Sequence, residues 1–180
     1  MEQDSTILIS DLRQRKSAAC QRLFTVYGPM VFRMVQRIVP SREDAEEVYQ
    51  DVFFKALRGI EGYNPRQATL ATWLSHIAYH ESLNFVRGKK PTILYIEDSD
   101  QGSDILEAPD DAPQDEETIR KLEQALAKLP PHEQAIVSMF YYDNMSLADI
   151  AYVTGSIPST VGSQLSRIRK KLYRIIKTMQ

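Results

Sequence analysis

Two groups of side chains in this sequence have types and spacings suited to recognition, and one pair is spaced like metal ligands. Between residues 42 and 58, Ala45, Val48, Tyr49, Val52, Phe53 and Ala56 recur at i, i+3, i+4, i+7, i+8 and i+11, the core stripe of a helix. The opposite face carries Asp44, Glu47, Gln50, Asp51 and Phe54. Acidic residues on a helix are usually only a solvated face. A large aromatic among them, pointing away from the core stripe, instead suits contact with another protein. Both readings stand on the residues alone.

The second group is C-terminal. Ser146-Leu147-Ala148-Asp149 has the form of a helix start, Gly155 punctuates, and Pro158 suits the first position of a longer helix. A short helix, a glycine turn and a longer helix is the order of a helix-turn-helix, whose second helix meets DNA base edges with its N-terminal residues. Removing the buried stripe Val161, Leu165, Ile168, Leu172 and Ile175 leaves Ser159, Thr160, Ser163, Gln164 and Arg167 outward. From Arg167 to the end there are six basic residues, Lys170 and Lys171 among them, and no acid. Such a stretch suits phosphate contact; a helical hairpin with a solvated basic end is the plainer alternative.

His76 and His80 share a helix face, as paired metal ligands do. Ile77 follows His76, so the zinc-protease pattern is absent, and the single cysteine, Cys20, completes no site. Neither a metal nor a cofactor is expected, and nor is a small-molecule substrate. A helical-bundle metalloenzyme would need a Glu-x-x-His constellation that is not found; the protein is not expected to be an enzyme.

The elements that must position these groups are helices. Periodicity is helical almost throughout, strict alternation is missing, and the chain of 180 residues has only 7 glycines. The reading is an all-α protein of two small bundles. The first covers about residues 5–90, with helices over about 17–39 (interrupted or bent near Gly28-Pro29), 42–58 with Ser41 as N-cap, and 70–87 ended by Gly88. Residues 91–115, rich in proline and acid, form a linker. The second bundle covers 116–180. A helix marked by Ile119, Leu122 and Leu126 is followed by one from His132 to Tyr142, then by the helix-turn-helix pair.

Charge divides the same way: +3 over residues 1–96, −8 over 97–115 and +3 over 116–180. Two mildly basic modules on an acidic tether fit a nucleic-acid partner, and equally two plain globular pieces. No apolar run reaches the ~20 residues of a membrane span, the start is not that of a signal peptide, and a lone cysteine suits a reducing compartment. A cytoplasmic location is expected.

Two stretches carry a resemblance. Asp44-Ala45-Glu46-Glu47-Val48-Tyr49-Gln50-Asp51-Val52-Phe53, with Thr72-Trp73-Leu74 and Ile77-Ala78 downstream, is similar to the second domain of bacterial RNA polymerase sigma factors of the extracytoplasmic-function (ECF) type. Leu129-Pro130, Leu147-Ala148-Asp149-Ile150-Ala151, Gly155 and Ser159-Thr160-Val161 with Leu165-Ser166-Arg167 resemble the fourth domain of the same family.

The resemblance implies that Asp44, Glu47, Gln50, Asp51 and Phe54 bind the clamp of core RNA polymerase. It assigns the −10 promoter element, melted to single strands, to Asn64, Arg66, Thr69, His76, Tyr79, His80, Asn84 and Arg87. The duplex −35 element falls to Ser159, Thr160, Ser163, Gln164, Arg167, Lys170 and Lys171. It also implies an anti-sigma factor as partner, of the kind that can hold a sigma factor at the inner membrane. Tyr79-His80 stand where the family usually has Arg-Asn, and Gly162 and Gln164 where it usually has Lys and Arg. The rival within DNA binding is a regulator that binds an operator and never joins polymerase; it leaves the 44–54 face unexplained.

Overall fold

A computed structural model describes residues 2–89 and 116–179, and among these there are helices and no strands. The helices are α1 (Glu2–Arg13), α2 (Ser17–Ile38), α3 (Arg42–Gly59), α4 (Leu70–Lys89), α5 (Glu116–Ala127), α6 (Pro131–Tyr141), α7 (Leu147–Thr154) and α8 (Pro158–Lys177), with a 3-10 turn at Ile60–Gly62. The linker expected over residues 91–115 lies outside the described residues.

Local chemistry accounts for most of the boundaries. The Ser41 and Ser146 hydroxyls accept from the backbone N–H of Asp44 and Asp149, at 3.3 and 3.1 Å, capping α3 and α7. Each such cap contributes about 1 kcal/mol. Gly155, at φ 72°, ends α7 in the left-handed region, and the Ser156 N–H closes onto the Ala151 carbonyl at 2.9 Å. A side chain there would be strained, which is why glycine ends the first helix of the pair. Pro131 and Pro158 occupy the first turns of α6 and α8, where the missing N–H has no partner to lose.

Three expectations need correction. First, α2 runs without interruption through Gly28 and Pro29. Proline removes one hydrogen bond there, but Val31, Met34, Val35 and Ile38 remain in the core, and tertiary packing sustains the helix past it. Gly28 serves a close approach: a Cβ on it would lie 2.7 Å from the Tyr49 hydroxyl oxygen. Second, Gly88 does not end α4, which continues to Lys89. Third, α1 precedes the first expected helix. Its Leu8, Ile9 and Leu12 are buried, and the Arg13 guanidinium donates to the Tyr63 carbonyl at 2.9 Å.

Helices α2, α3 and α4 pack on one another in the N-terminal half, with Val31, Val35, Val48, Val52, Phe53 and Leu74 at the centre. In the C-terminal half, α5, α6 and α7 surround α8 through Ala125, Ile136, Met139, Ile150, Val153, Val161, Leu165 and Ile168. The halves also touch: α7 lies against α4 and α6 against α2, so the buried side chains form one continuous apolar cluster.

Candidate functional site

The acidic face of α3 is built by register. Buried Ala45, Val48, Val52, Phe53 and Ala56 fix the helix on the core, which turns Glu47, Gln50, Asp51 and Phe54 outward; Asp44, in the first turn, is partly buried. Phe54 is 60% exposed, and Arg58 lies over its ring at 5.0 Å. The neighbouring Phe53 is 1% exposed. One residue of helical rotation thus separates a core aromatic from a surface aromatic.

The loop before α4 is already ordered. The Tyr63 hydroxyl donates to the Ala68 carbonyl at 2.9 Å, and its ring packs on Trp73 at 5.1 Å between centroids. Asn64 Oδ1 accepts the Arg66 N–H at 3.0 Å. Thr69 Oγ1 accepts the Thr72 N–H at 3.1 Å, capping α4, and is hydrogen-bonded to Thr72 Oγ1 at 2.9 Å. Asn64, Arg66 and Thr69 are exposed, and so are Asn84 and Arg87 further along α4. Trp73 packs against the core.

The three aromatic positions on α4 differ from what a DNA-facing surface requires. Tyr79 is 6% exposed and belongs to the core, and burial raises its hydroxyl pKa. Its ring is not on the surface, because 79 falls on the same face as Ser75 and Ser82, both buried. The His76 and His80 rings lie 4.4 Å apart, tilted by 59°, and both residues are partly buried where α4 meets α7. His76 Nδ1 lies 3.1 Å from both the Tyr152 and the Val153 carbonyls. Carbonyl oxygens only accept, so Nδ1 carries the proton.

On α8 the stripe places most of the outward residues, with Gln164 the exception. Ser159, Ser163 and Arg167 are exposed, and Thr160, Gln164, Lys170 and Lys171 are partly so. Ser163 Oγ donates to the Ser159 carbonyl at 3.0 Å. Gln164 turns its Oε1 inward, where it is buried without a hydrogen-bond partner. Lys171 is drawn back to Glu133 at 2.9 Å, so it is less available than Arg167. Gly162 leaves open space: a Cβ there would meet only Leu147 Cδ1, at 3.9 Å. Beside α8, the Arg169 Nε donates to the Tyr141 hydroxyl at 2.7 Å.

The sequence reading missed the residues that join the halves: Arg37, Thr72, Asp143 and Tyr152. They lie in a loop or near helix ends, off the apolar stripes, so no pattern along the chain singles them out. Among the described residues, no three His, Cys, Asp or Glu side chains gather as a metal site, and no helix is long and apolar enough to cross a membrane.

His80 and His132 have their pKa values lowered. For His80 the causes are burial, then nearby His76, with the Val153 backbone and Glu81 opposing and Arg87 assisting. For His132 they are burial first, opposed by Glu133 and assisted by Lys171 and Arg87. In the unfolded chain both titrate near 6.5. Stability is therefore fully present above about pH 6.5 and falls as the unfolded state takes up protons that the folded state refuses. Urea midpoints are expected to drop between pH 7.5 and 5.5, with a shallower drop in His80→Gln/His132→Gln.

Residues 23–92 match the family described as sigma-70 region 2, and residues 119–172 the one described as sigma-70, region 4. Among curated relatives, the ECF RNA polymerase sigma factor SigW of Bacillus subtilis is 22% identical over 181 residues, covering 95% of this chain and 96% of that one. The ECF sigma factor RpoE of Cereibacter sphaeroides is 26% identical over 172 residues, covering 92% and 88%. Two solved structures share the fold. CnrH in complex with the cytosolic domain of CnrY has a TM-score of 0.69 at 17% identity, over 98% of this chain and 99% of that one. RpoE from Bartonella quintana, in complex with the anti-sigma factor NepR, has a TM-score of 0.59 at 20% identity, over 89% and 97%. The region 2 match takes in α3 and α4 and the region 4 match takes in the helix-turn-helix, in that order and together over more than half of the sequence, so this chain belongs to the sigma-70 family, and with its near full-length similarity to ECF sigma factors, to the ECF type.

Proposed function

We propose that the chain is the promoter-recognition subunit of RNA polymerase and works without bond chemistry of its own. In this reading the acidic face of α3, with Phe54 at its centre, docks on core polymerase. The loop 63–69 and the exposed ends of α4 hold melted −10 DNA, with Asn64, Arg66 and Thr69 as polar liners of a pocket for an unstacked base. Taking a base out of the stack costs a few kcal/mol and needs such a receiving surface. His76 and His80 would join that surface once α7 is removed from it; Tyr79 would support it from within. Ser159, Thr160, Ser163, Gln164 and Arg167 would enter the major groove at the −35 element, with Lys170 and Lys171 toward phosphate.

The observation that carries the reading is Phe54. A helix-turn-helix alone fits any DNA-binding regulator. An exposed phenylalanine framed by Glu47, Gln50 and Asp51 gives the same chain a surface for a protein partner. The module limits 5–90 and 116–180 belong to this proposal. So does the acidic tether between them, residues 91–115. Two grips on one promoter raise each other's effective concentration, so neither need bind tightly alone. An anti-sigma factor, the partner of the Bartonella relative, and action in the cytoplasm are proposed on the same footing.

In vitro transcription with core polymerase on genomic fragments tests the proposal. The full chain is expected to direct discrete start sites. Arg167→Ala is expected to lower initiation by about 5- to 150-fold, corresponding to about 1–3 kcal/mol for a lost base or phosphate contact. Retention of duplex binding with no effect on polymerase would favour an operator-binding regulator instead.

A further inference from the structure

Helix α1 lies ahead of the region 2 match, which begins at residue 23, so that match assigns it no task. Leu8, Ile9 and Leu12 already anchor it in the core. Its last turn adds a polar tie to a distant segment. Arg13 Nη2 donates to the Tyr63 carbonyl at 2.9 Å and Arg13 Nε to the Ile60 carbonyl at 3.5 Å, across 50 and 47 residues. The two acceptors bracket the 3-10 turn that leads into the loop 63–69. A planar guanidinium offers its donors in a fixed fork, so it holds the two carbonyls in one relative position. Tyr63 carries the restraint onward. Its ring, 4% exposed, packs on Trp73, and its hydroxyl donates to the Ala68 carbonyl at 2.9 Å. The loop is thus held at both ends, while Asn64, Arg66 and Gln67 between them are exposed.

We propose that Arg13 is a positioning residue for capture of the unstacked base: by fixing the Ile60 and Tyr63 carbonyls, it sets the loop 63–69 in its base-receiving shape before DNA arrives. The inference rests on the reading of that loop as the base pocket. Its first support is the pair of bonds, which tie a helix with its own apolar anchors to the entry of the loop. Its second support is the space beside them. A cleft of about 290 Å³ lies between α1 and Pro65, lined by Ile9, Ser10, Arg13 and Gln14 among others. Open space of this kind gives the loop room to shift, and the Arg13 fork works against that shift. A loop ordered in advance need not be ordered during binding, and such ordering otherwise subtracts from affinity. The plain alternative is a direct phosphate contact, since Arg13 is itself exposed. Against it, Nε and Nη2 are already engaged by backbone carbonyls, which aims the fork at the loop.

The full-length parent and Arg13→Ala, each assembled with core polymerase, test this by fluorescence anisotropy. The labelled probes are single strands carrying the −10 element of a start site mapped with the parent. One strand is intact, and each of the others has one abasic position. In the parent, an abasic site at the captured base is expected to weaken binding relative to the intact strand. In Arg13→Ala that ratio is expected to shrink toward one, by about threefold or more, through weaker binding of the intact strand alone. The ratio is taken within each protein, so the fraction of active molecules cancels and partial unfolding cannot mimic the result. Salt dependence is read in parallel. Loss of one phosphate contact on a single strand flattens the slope of log affinity against log salt by about 0.7; an unchanged slope is expected. An unchanged ratio in Arg13→Ala overturns the positioning role and leaves the base pocket standing. Equal weakening on intact and abasic strands, or a flattened slope, overturns it in favour of phosphate contact. A parent with no abasic-sensitive position removes the pocket itself, and the role of Arg13 with it.

Discussion

Asp51→Arg and Phe54→Ala are expected to separate this chain from core RNA polymerase while leaving its fold intact. Both side chains are exposed on α3 and touch none of the buried stripe that anchors the helix, so thermal unfolding should shift little. An aromatic at the centre of a docking face is a typical hot spot, worth about 2 kcal/mol or more on truncation, or roughly a 30-fold loss of affinity. Asp51→Arg should cost more, because it sets a cation where the partner surface is expected to be basic. Co-purification with core polymerase and multi-round transcription measure the effect. Wild-type retention of polymerase by both variants would remove the docking role of α3.

The second large effect concerns the residue next door. Phe53→Ala is expected to destabilise the fold by about 3–5 kcal/mol, the usual range for emptying a phenylalanine site in a core. Phe53 is 1% exposed and contacts Phe24 and Tyr49, with ring centroids at 4.5 and 5.0 Å. Those two rings cannot fill the space without leaving their own positions. Urea denaturation should show an earlier midpoint, and loss of polymerase binding should follow unfolding rather than precede it. The pair of variants, Phe53→Ala and Phe54→Ala, therefore separates stability from docking at adjacent positions. A Phe53→Ala protein as stable as the parent would mean that α3 is not packed in this register.

Contact between the halves decides which faces of α4 are exposed. His76, expected to face outward, has its Nδ1 3.1 Å from the Tyr152 and Val153 carbonyls at the end of α7. Tyr79 is a separate case, since its ring lies in the core of its own half. Replacing it should alter stability before it alters base preference.

Much of this was legible along the chain. The stripe of α3 follows from residues spaced three and four apart, because a helix must bury one face wherever it packs. The caps at Ser41 and Ser146, the glycine at 155 and the prolines at 131 and 158 are local devices, set by the backbone groups within a few residues of each. The same locality made the helix-turn-helix and the outward set Ser159, Ser163 and Arg167 readable. Helix α1 was recoverable too: Leu8, Ile9 and Leu12 have helical spacing, but a single turn and a half of apolar residues is too short to stand out.

What depended on distance in sequence was decided only by the folded structure. Asp143 lies 106 residues from Arg37, and Tyr152 lies 76 from His76. No period links such positions, and each side chain by itself suits solvent as well as a partner. The burial of Tyr79, the inward turn of Gln164 Oε1 and the retreat of Lys171 to Glu133 are likewise outcomes of how helices meet. Periodicity tells which face of a helix is buried; only packing tells which helix buries it, and hence which recognition residues are free to meet a partner.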